Sequence, residues 1–372
     1  MHKVNVLHLR DSNGIYGAER VVLTLGSNID TSKYNFILLC MRRSDGRSEE
    51  LIQAAKKFNI KVLTVDIDSR FSIAGILKIR YLLKRHNIRI IHTHDFKSDF
   101  YALFASFFLG IRRIATVHGS TRDSLKIRLY LYLSERIIYR YYHKVLAVSQ
   151  QLVGWLTKCG VDESKIVVIQ NGIDPNLIKV MSGENIKLDL SLPPQSHIFG
   201  IIGRLFPDKG HLYFIEAFKQ VLKVHSNIRA VVVGEGPYGK EIMNKIQDLG
   251  LQKEILILGF QKNMRAVYNT IDTIVIPSLR EGLPYVLLES MTFKIPVLAT
   301  AVGDVPLLIK NEQTGILIPP GNGKALEKSM LTMLAHPDHY RQLAENGYQQ
   351  VMERFSHKRM LQKTEVLYQE LI

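Results

Sequence analysis

The stretch IFGIIGRLFPDKGHLYFIEAFKQVLK, residues 198–223, contains three patterns in succession. Ile198 to Ile202 is an unbroken apolar run, typical of a buried parallel strand. Gly203 and Gly210 then bracket a turn, and Tyr213 to Lys223 has apolar residues at helical spacing. The stretch therefore predicts a strand, a glycine-containing loop and a helix.

The same alternation extends in both directions along the chain. Predicted strands before this stretch are Val4–Leu9, Phe36–Cys40, Lys61–Val65, Ile88–His92, Ile114–Val117 and Val145–Val148. Predicted strands after it are Ala230–Val233, Ile255–Leu258, Thr273–Ile276, Pro296–Ala299 and Gly315–Ile318. Two helical patterns end the chain, and the second is interrupted near Phe355. Strands that alternate with helices indicate parallel sheets covered on both faces.

A polar, proline-containing stretch between about Asp174 and Ser196 interrupts the alternation and predicts a linker. We therefore expect an α/β fold of two doubly wound, Rossmann-like domains, with ligands bound at the carboxyl ends of the strands in a cleft between them. The expected boundaries are 1–180 for the N-terminal domain and 181–355 for the C-terminal domain. A helix at 356–372 is expected to pack back on the first domain.

Composition and charge restrict the classes of function. The chain has 372 residues and a net charge of +15, and residues 1–190 contain 29 basic against 17 acidic side chains. This positive field favours an anionic partner, such as a membrane surface, nucleic acid or a phosphorylated substrate. Two cysteines exclude a disulfide framework and favour the cytosol. The N-terminus lacks the apolar run of a signal peptide, and no internal run is long enough to cross a membrane.

The loop Gly203-Arg204-Leu205-Phe206-Pro207-Asp208-Lys209-Gly210 places two cations between a strand and a helix. Backbone N–H groups, the Arg204 guanidinium and the Lys209 ammonium can converge on a diphosphate beside a helix N-terminus. An ordinary strand-to-helix turn with solvated charges explains the loop about as well. The loop is not a Walker A motif.

A second segment, Glu281-Gly282-Leu283-Pro284-Tyr285-Val286-Leu287-Leu288-Glu289, carries two carboxylates. Pro284 suits the first helical position, which places Gly282 and Leu283 at a helix N-terminus with amides facing an anion. Glu289 lies beside apolar residues, so its carboxylate needs hydroxyl or cationic partners. The segment suits a phosphorylated, polyhydroxylated ligand. A capping glutamate plus an exposed helical glutamate is the simpler alternative.

Three features of the N-terminal half give weaker evidence for a functional site than these two segments do. Gly17, in the loop after the first strand, permits close approach of a ligand, but a tight turn explains it equally well. His118 stands at the carboxyl end of a strand, where α/β active sites lie, although a lone histidine is more often structural. His92, His94 and Asp95 lack the spacing of a zinc site, and we expect no metal.

The stretch Arg122 to Lys144 mixes basic with apolar and aromatic residues. Such a helix can lie in a membrane interface. A core helix with a solvated basic face is the alternative and accounts for the pattern slightly better.

Taken together, these motifs resemble those of the family 4 glycosyltransferases of the GT-B fold. Gly203-Arg204-Leu205 with Lys209-Gly210, followed by Glu281 and Glu289 with seven residues between them, match the donor-site pattern of that family. The resemblance covers nearly the whole chain and is looser in the N-terminal half. It implies that residues 1–180 form an acceptor-binding domain and residues 181–355 a nucleotide-sugar donor-binding domain.

The resemblance implies a retaining enzyme that transfers a hexose from a UDP- or GDP-sugar, without a metal or other cofactor. Arg204 and Lys209 would neutralise the leaving diphosphate, Glu281 would meet sugar hydroxyls and Glu289 the ribose. His118 would lie near the reacting sugar, and Gly17 near the diphosphate or the acceptor.

The expected acceptor is a glycan or a lipid-linked molecule in surface polysaccharide or glycolipid synthesis. We also expect a cytoplasmic protein, attached peripherally to the inner face of the plasma membrane through an anionic surface. A nucleotide-sugar epimerase of the same fold and a basic nucleic-acid-binding protein are the alternatives, although the basic residues concentrate on one helix and do not suggest a nucleic-acid groove.

Overall fold

A computed structural model describes residues 3–12, 14–44, 46–68, 71–118, 136–175, 186–187 and 189–372. The chain forms two compact units. Unit 1 is Met1–Gly172 together with His357–Ile372, and unit 2 is Ile173–Ser356. Each unit contains one parallel sheet with helices between successive strands, so the predicted α/β fold class is confirmed.

Seven parallel strands form the sheet of unit 1, in the order β3-β2-β1-β4-β5-β6-β7. The strands are Val4–Arg10 (β1), Tyr34–Arg42 (β2), Lys61–Asp66 (β3), Ile90–Thr93 (β4), Arg112–Val117 (β5), Lys144–Ala147 (β6) and Ile166–Val168 (β7). The described helices of this unit are Gly17–Asn28 (α1), Glu49–Lys57 (α2), Ile73–Arg85 (α3), Phe96–Ser106 (α4), Gln150–Lys158 (α5) and, at the end of the chain, His357–Leu371 (α13).

Strand β1 has two faces of different chemistry. Leu7 and Leu9 belong to an apolar core that includes residues of α3 and α4. Successive side chains of a strand point to opposite faces, so His8 and Arg10 lie on the other face. Tyr368 of α13 contacts that second face through His8. His8 is therefore buried and contacts a helix from the end of the chain.

Six parallel strands form the sheet of unit 2, in the order β10-β9-β8-β11-β12-β13. The strands are His197–Ile202 (β8), Ile228–Val233 (β9), Ile255–Gly259 (β10), Thr273–Ile276 (β11), Val297–Thr300 (β12) and Ile316–Ile318 (β13). The described helices are His211–Val224 (α6), Gly239–Asp248 (α7), Met264–Thr270 (α8), Tyr285–Thr292 (α9), Val305–Leu308 (α10), Gly323–Ala335 (α11) and Pro337–Arg354 (α12). All six strands predicted for this half are present.

Two elements of unit 1 were not predicted, and part of a third lies outside the described residues. Strand β7 was not predicted, because it is a three-residue strand at the edge of the sheet. Helix α5 was not predicted either. The predicted interruption near Phe355 is present between α12 and α13. Of the predicted helix in the stretch Arg122 to Lys144, residues 122–135 lie outside the described residues, and 136–139 are helical.

Among the described helices, none is both long enough and apolar enough to cross a bilayer.

Candidate active site

Strands β8 and β11 lie side by side in the centre of the unit 2 sheet. The chain leaves β8 toward β9 on one side and leaves β11 toward β12 on the other. In open parallel sheets, ligands bind at the carboxyl ends of two strands whose connections diverge in this way. The loops that follow are 203–210 after β8 and 277–284 after β11, and they contain Arg204, Lys209 and Glu281. The topology therefore brings these three predicted site residues to one edge of the sheet.

The two loops contact each other directly. The backbone N–H of Leu279 donates to the carbonyl of Asp208 at 2.7 Å. Gly210 has a φ of 73°, and a Cβ built there would lie 2.0 Å from the carbonyl oxygen of Pro277. No side chain fits at that distance, so glycine at this position lets the second loop pack against the first.

Lys209 and Glu281 form an ion pair across the two loops. The Nζ of Lys209 lies 2.7 Å from Oε1 of Glu281, and the two side chains are 20% and 9% exposed. The Ser278 hydroxyl donates to the same carboxylate oxygen at 2.7 Å. A pair so poorly solvated depends on both partners, because removal of one leaves the other charge uncompensated. The sequence suggested separate roles for these residues but not this contact.

Arg204 is exposed and is oriented by an aromatic ring. Its guanidinium carbon lies 4.9 Å from the ring centroid of Phe206. In the part of the chain that the structure describes, no carboxylate forms an ion pair with Arg204. Stacking on an aromatic ring restricts a guanidinium without neutralising its charge. The geometry thus presents a cation at the end of β8.

Helix α9 begins at Tyr285, one residue later than predicted. Pro284 has a ψ of 129° and precedes the first helical residue, so its expected position inside the helix was wrong. Gly282 is half-buried, whereas the Leu283 side chain is only 5% exposed and packs in the apolar core. Gly282 and Leu283 therefore have main-chain groups to offer a ligand, and the Leu283 side chain anchors the turn.

The loop after β12 supports this turn. The N–H of Asp304 donates to the carbonyl of Gly282 at 3.0 Å. Gly303 has a φ of 54°, and a Cβ there would lie 2.0 Å from the carbonyl oxygen of Glu281. Glycine at 303 thus permits close packing behind the Glu281 backbone.

The Glu289 side chain is almost fully buried. It is 3% exposed, and the hydroxyl of Tyr268 donates to its Oε2 at 2.6 Å. Tyr268 is itself 1% exposed and stacks on Phe293 at 4.8 Å between ring centroids. The structure thus supplies the hydroxyl partner that a carboxylate among apolar residues requires.

Gly17 and His118 belong to unit 1. Gly17 is half-buried and is the first residue of α1, whereas the sequence placed it in the loop before the helix. Two residues later, the Glu19 carboxylate accepts a hydrogen bond from Nε of Arg10 at 2.8 Å. Arg10 also donates to the carbonyl of His94 at 2.5 Å. Arg10 therefore connects the first turn of α1 to the carboxyl end of β4.

His118 follows β5 directly and is half-buried. Its Nε2 lies 3.2 Å from Nδ1 of His94. Its Nδ1 is buried and has no hydrogen-bond partner among the described residues. Burial, assisted by the charge of Arg10 and by His92, lowers the pKa of His118 to about 3. His118 is therefore a neutral imidazole at physiological pH.

Three buried histidines form a cluster in the same unit, and one of them, His94, contacts His118. The ligand nitrogens of His8, His92 and His94 lie within 4.8 Å of one another, close enough to hold one metal ion. The sequence suggested only His92 and His94, with Asp95. All six ring nitrogens of the three histidines already face hydrogen-bond partners, so the expectation of no metal stays a prediction.

Comparison with sequence families identifies the chain. Residues 15–177 match the model described as Glycosyltransferase Family 4, and residues 183–350 match that of Glycosyl transferases group 1. The two matches together span most of the chain.

The chain belongs to the family 4 glycosyltransferases. It is thus an enzyme that transfers sugars, which decides against the epimerase and nucleic-acid-binding alternatives. A curated relative from Escherichia coli is 27% identical in an alignment 335 positions long, which covers 85% of this chain and 84% of the relative. That protein is named UDP-Gal:alpha-D-GlcNAc-diphosphoundecaprenol alpha-1,3-galactosyltransferase.

Solved structures show the same fold. A glycosyltransferase from Rickettsia africae is 22% identical, with a TM-score of 0.81, and the match covers 100% of this chain and 99% of the other. The HepE protein of Anabaena, solved in complex with UDP and glucose, is 20% identical with a TM-score of 0.84 over 99% and 100% of the two chains. The predicted GT-B fold is therefore confirmed.

This glycosyltransferase places four further residues, which the sequence did not indicate, beside the predicted ones. They are Ser278 and Tyr268 in unit 2, and His8 and Tyr368 in unit 1. Only His8 gave a local signal, since a histidine within an apolar strand requires a buried partner. Tyr368 is 360 positions from His8, so no local pattern predicts their contact.

Proposed function

We propose that this glycosyltransferase moves a sugar from a nucleotide-diphospho-sugar to a hydroxyl of a glycan or lipid-linked acceptor, with retention of configuration, in surface polysaccharide or glycolipid synthesis. The observation that carries the proposal is the group of Arg204, Lys209 and Glu281 at the edge where β8 and β11 end. Two cations and a carboxylate there suit a sugar diphosphate.

The names of similar proteins support the choice of donor and acceptor. The Escherichia coli relative is named for UDP-Gal and a diphosphoundecaprenol acceptor, and HepE was solved with UDP and with UDP-glucose. We therefore place a UDP-sugar first among donors and a GDP-sugar second. We place a lipid-linked glycan first among acceptors.

The reaction breaks the bond between the anomeric carbon and a diphosphate oxygen, and the electron pair stays on the diphosphate. The acceptor oxygen forms the new bond on the same face of the sugar, and its proton passes to the leaving oxygen. Negative charge therefore grows on the diphosphate in the transition state. Fixed cations and amides placed there accelerate the chemical step and do not merely bind the donor.

The predicted residues divide the contacts with the donor among them. Arg204 and Lys209 face the diphosphate, and the main-chain groups of Gly203, Gly282 and Leu283 approach it, with Pro284 shaping the turn. Glu281 accepts hydrogen bonds from sugar hydroxyls while it holds Lys209. Glu289 accepts from the ribose. For His118 and Gly17, contacts with the transferred sugar and with the diphosphate or acceptor rest on the family resemblance alone.

A thermal-shift screen with UDP-, GDP- and ADP-sugars tests the proposal. A ligand at about 100 times its Kd stabilises the native state by about 2.7 kcal/mol, which raises the unfolding temperature. We expect a UDP-sugar to give the largest shift. No shift with any nucleotide sugar would contradict the proposal.

We also propose that unit 1 docks on an anionic membrane on the cytoplasmic side. The support is an exposed apolar surface on α3 and at the end of α4, whose members are Ile73, Leu77, Tyr81, Phe104, Phe107 and Phe108. Phe108 is 91% exposed, and Lys78, Lys84 and Arg85 are exposed on the same helix as Leu77. Apolar groups interspersed with cations suit an anionic lipid interface.

The described end of the predicted basic helix, residues 136–141, also exposes apolar and basic side chains. Ile137 and Tyr141 are exposed, with Arg136 and Arg140 exposed beside them. Tyr139 points inward and donates a hydrogen bond to Asp99. This segment therefore has both a core face and an exposed face, as an interfacial helix requires.

A further inference from the structure

One face of the unit 1 sheet carries a buried polar layer. His8 on β1 is in register with His92 on β4, and His92 is in register with Ile114 on β5. Side chains two positions apart on a strand share a face, so His94 joins His92, and Thr116 and His118 join Ile114. His8 and His92 are 0% exposed and His94 is 2% exposed. The polar layer thus crosses three strands and ends where β5 ends.

These side chains form one continuous hydrogen-bonded chain with Tyr368 of α13. From its inner end, Thr116 Oγ1 lies 2.7 Å from His92 Nε2, and His92 Nδ1 lies 2.7 Å from the Tyr368 hydroxyl. That hydroxyl lies 3.0 Å from His8 Nε2, and His8 Nδ1 lies 2.8 Å from His94 Nε2. The last contact joins His94 Nδ1 to His118 Nε2 at 3.2 Å.

The hydrogen-bonded chain couples the tautomers of the histidines that form it. A neutral imidazole has one N–H donor and one acceptor nitrogen. If His118 donates through Nε2, then His94 accepts at Nδ1 and must donate onward through Nε2, and the same logic continues through His8 and Tyr368. If Tyr368 donates toward His8, every bond from there to His118 runs the other way. The direction of one bond therefore fixes which nitrogen of His118 carries its proton.

All four histidines are neutral under ordinary conditions. Burial lowers the pKa of His92 to about 3, and burial together with neighbouring histidines holds the pKa values of His8 and His94 well below their usual range. Arg10, at the end of β1, adds a fixed positive charge that disfavours protonation of His94 and His118. A chain of neutral rings is the state that the surroundings favour.

A metal ion explains the arrangement less well than the chain does. The rings of His92 and His94 are stacked, with centroids 4.6 Å apart and planes 22° apart, and His8 stacks on Phe36 at 4.1 Å. Coordination would also require breaking several of the hydrogen bonds just described. Each inner nitrogen is satisfied without a metal, and the one buried open end is Nδ1 of His118.

We propose that His94, His8 and Tyr368 act as positioning residues for His118, by fixing its tautomer and ring orientation through this hydrogen-bonded chain. The inference rests on the role proposed above for His118 beside the transferred sugar. An apolar core could stabilise the sheet and would need no polar partners. The hydrogen-bonded chain, in contrast, fixes the tautomer and orientation of an imidazole at the carboxyl end of β5. A ligand hydroxyl at Nδ1 would complete the last unfilled hydrogen bond.

Ring-nitrogen NMR of histidine-labelled protein tests the chain without any substrate. A fixed tautomer gives the two ring nitrogens of His118 widely separated chemical shifts. The His118 signals are assigned as those that disappear in His118→Gln. Tyr368→Phe removes one hydroxyl that lies three hydrogen bonds from His118. We expect its His118 shifts to move toward each other. The matched control is Tyr34→Phe, because Tyr34 also donates its hydroxyl to α13, at the carbonyl of Glu365, but lies outside the chain.

A second variant, His94→Asn, breaks the link to His8 while it keeps an amide beside His118, and we expect a larger change in the same direction. We also expect kcat, measured as UDP released from the best UDP-sugar donor, to fall about tenfold in both variants, with KM changed less than about twofold. Loss of a partner that orients a metal-ligating histidine has an effect of this size. Tyr34→Phe should keep wild-type kcat.

Three results would overturn the proposal. The first is a His118 spectrum unchanged in both variants, and the second is an altered spectrum with unchanged kcat. The third is stoichiometric bound zinc in the purified protein that His8→Gln abolishes. The NMR spectrum is recorded without a donor, so it tests the histidine chain even if the proposed glycosyl transfer is wrong. Failure of the proposed function is recognised separately, because wild-type protein would then bind no nucleotide sugar.

Discussion

At the scale of single residues, the contact between Lys209 and Glu281 has the clearest consequence. Each partner holds the other in a poorly solvated position, with Ser278 completing the contact. A substitution of either residue therefore disturbs both the diphosphate contact and the sugar contact that we propose. Single-residue kinetics would mix these two effects.

We predict that Lys209→Met and Glu281→Gln are strongly non-additive. Removal of one partner already frees the other, so the double variant should lose less transition-state stabilisation than the sum of the single losses. Each single variant should lower kcat by about 100-fold or more, as for other groups that stabilise a developing anion. Steady-state kinetics of the four proteins check this. Additive losses would show that the two residues act independently.

Glu289 and Glu281 should differ in which part of the donor they recognise. We predict that Glu289→Gln weakens binding of both UDP and the intact UDP-sugar, because the ribose is common to the two ligands. Glu281→Gln should weaken the UDP-sugar more than UDP. Calorimetry with both ligands measures the difference. Tyr268→Phe is a useful companion, because it removes the hydroxyl that holds Glu289 and should act in the same direction. Identical profiles for Glu281→Gln and Glu289→Gln would refute the division of roles.

At the scale of elements, the sequence was most informative where a strand, a glycine loop and a helix follow one another. Residues 198–223 predicted β8, the loop and α6 correctly, because apolar runs and helical periodicity are local properties. Strand β7 was missed because three residues at a sheet edge carry little pattern. Helix α9 began one residue later than expected because Pro284 adopted an extended ψ.

The candidate site was predictable in composition but not in its contacts. Arg204, Lys209, Glu281 and Glu289 stand out in sequence, since charges beside glycine turns and apolar helices are unusual. Their partners come from distant positions: Tyr268 is 21 residues from Glu289, and Glu281 is 72 residues from Lys209. The histidine chain depends on strand register and on α13, and neither is visible from a single strand.

The polar layer of the unit 1 sheet predicts a particular pH dependence of stability. Burial depresses the pKa values of His8, His92, His94 and His118 in the folded state, so the unfolded chain binds more protons below its ordinary histidine pKa. Stability should therefore be full above about pH 6.5 and be lost on acidification toward pH 3, by about 1.4 kcal/mol per pH unit for each histidine kept neutral.

Denaturant unfolding between pH 7 and pH 5 measures this slope. His92→Gln should reduce it, since the glutamine cannot gain a proton on unfolding. His339→Gln is the matched control, because His339 is exposed on α12 and should leave the slope unchanged. Equal slopes in wild-type protein and His92→Gln would argue against a neutral buried histidine at position 92.

At the scale of the whole molecule, the excess charge of residues 1–190 and the exposed apolar surface of unit 1 predict reversible membrane attachment. Each basic side chain near an anionic surface contributes about 1 kcal/mol, so several together suffice. We expect flotation with anionic vesicles at low salt, and little flotation with neutral vesicles or at high salt.

Matched variants separate the charged from the apolar contribution. Arg128→Gln, Arg136→Gln and Arg140→Gln combined should weaken flotation, and so should Leu77→Ser with Phe108→Ser. Lys240→Gln with Lys324→Gln, on α7 and α11 of unit 2, removes charge elsewhere and should have no effect. Absence of binding to anionic vesicles, or equal binding by all variants, would refute the docking surface.

The central claim is that the loops after β8 and β11 hold a nucleoside diphosphate sugar. Calorimetric titration of UDP into wild-type protein and Arg204→Ala tests it most directly, because Arg204 is exposed and its loss should not disturb folding. We predict that wild-type protein binds UDP and that Arg204→Ala loses about tenfold or more in affinity, corresponding to about 1.4 kcal/mol or more, with unchanged thermal stability of the free protein. Equal affinity of the two proteins for UDP would contradict the account.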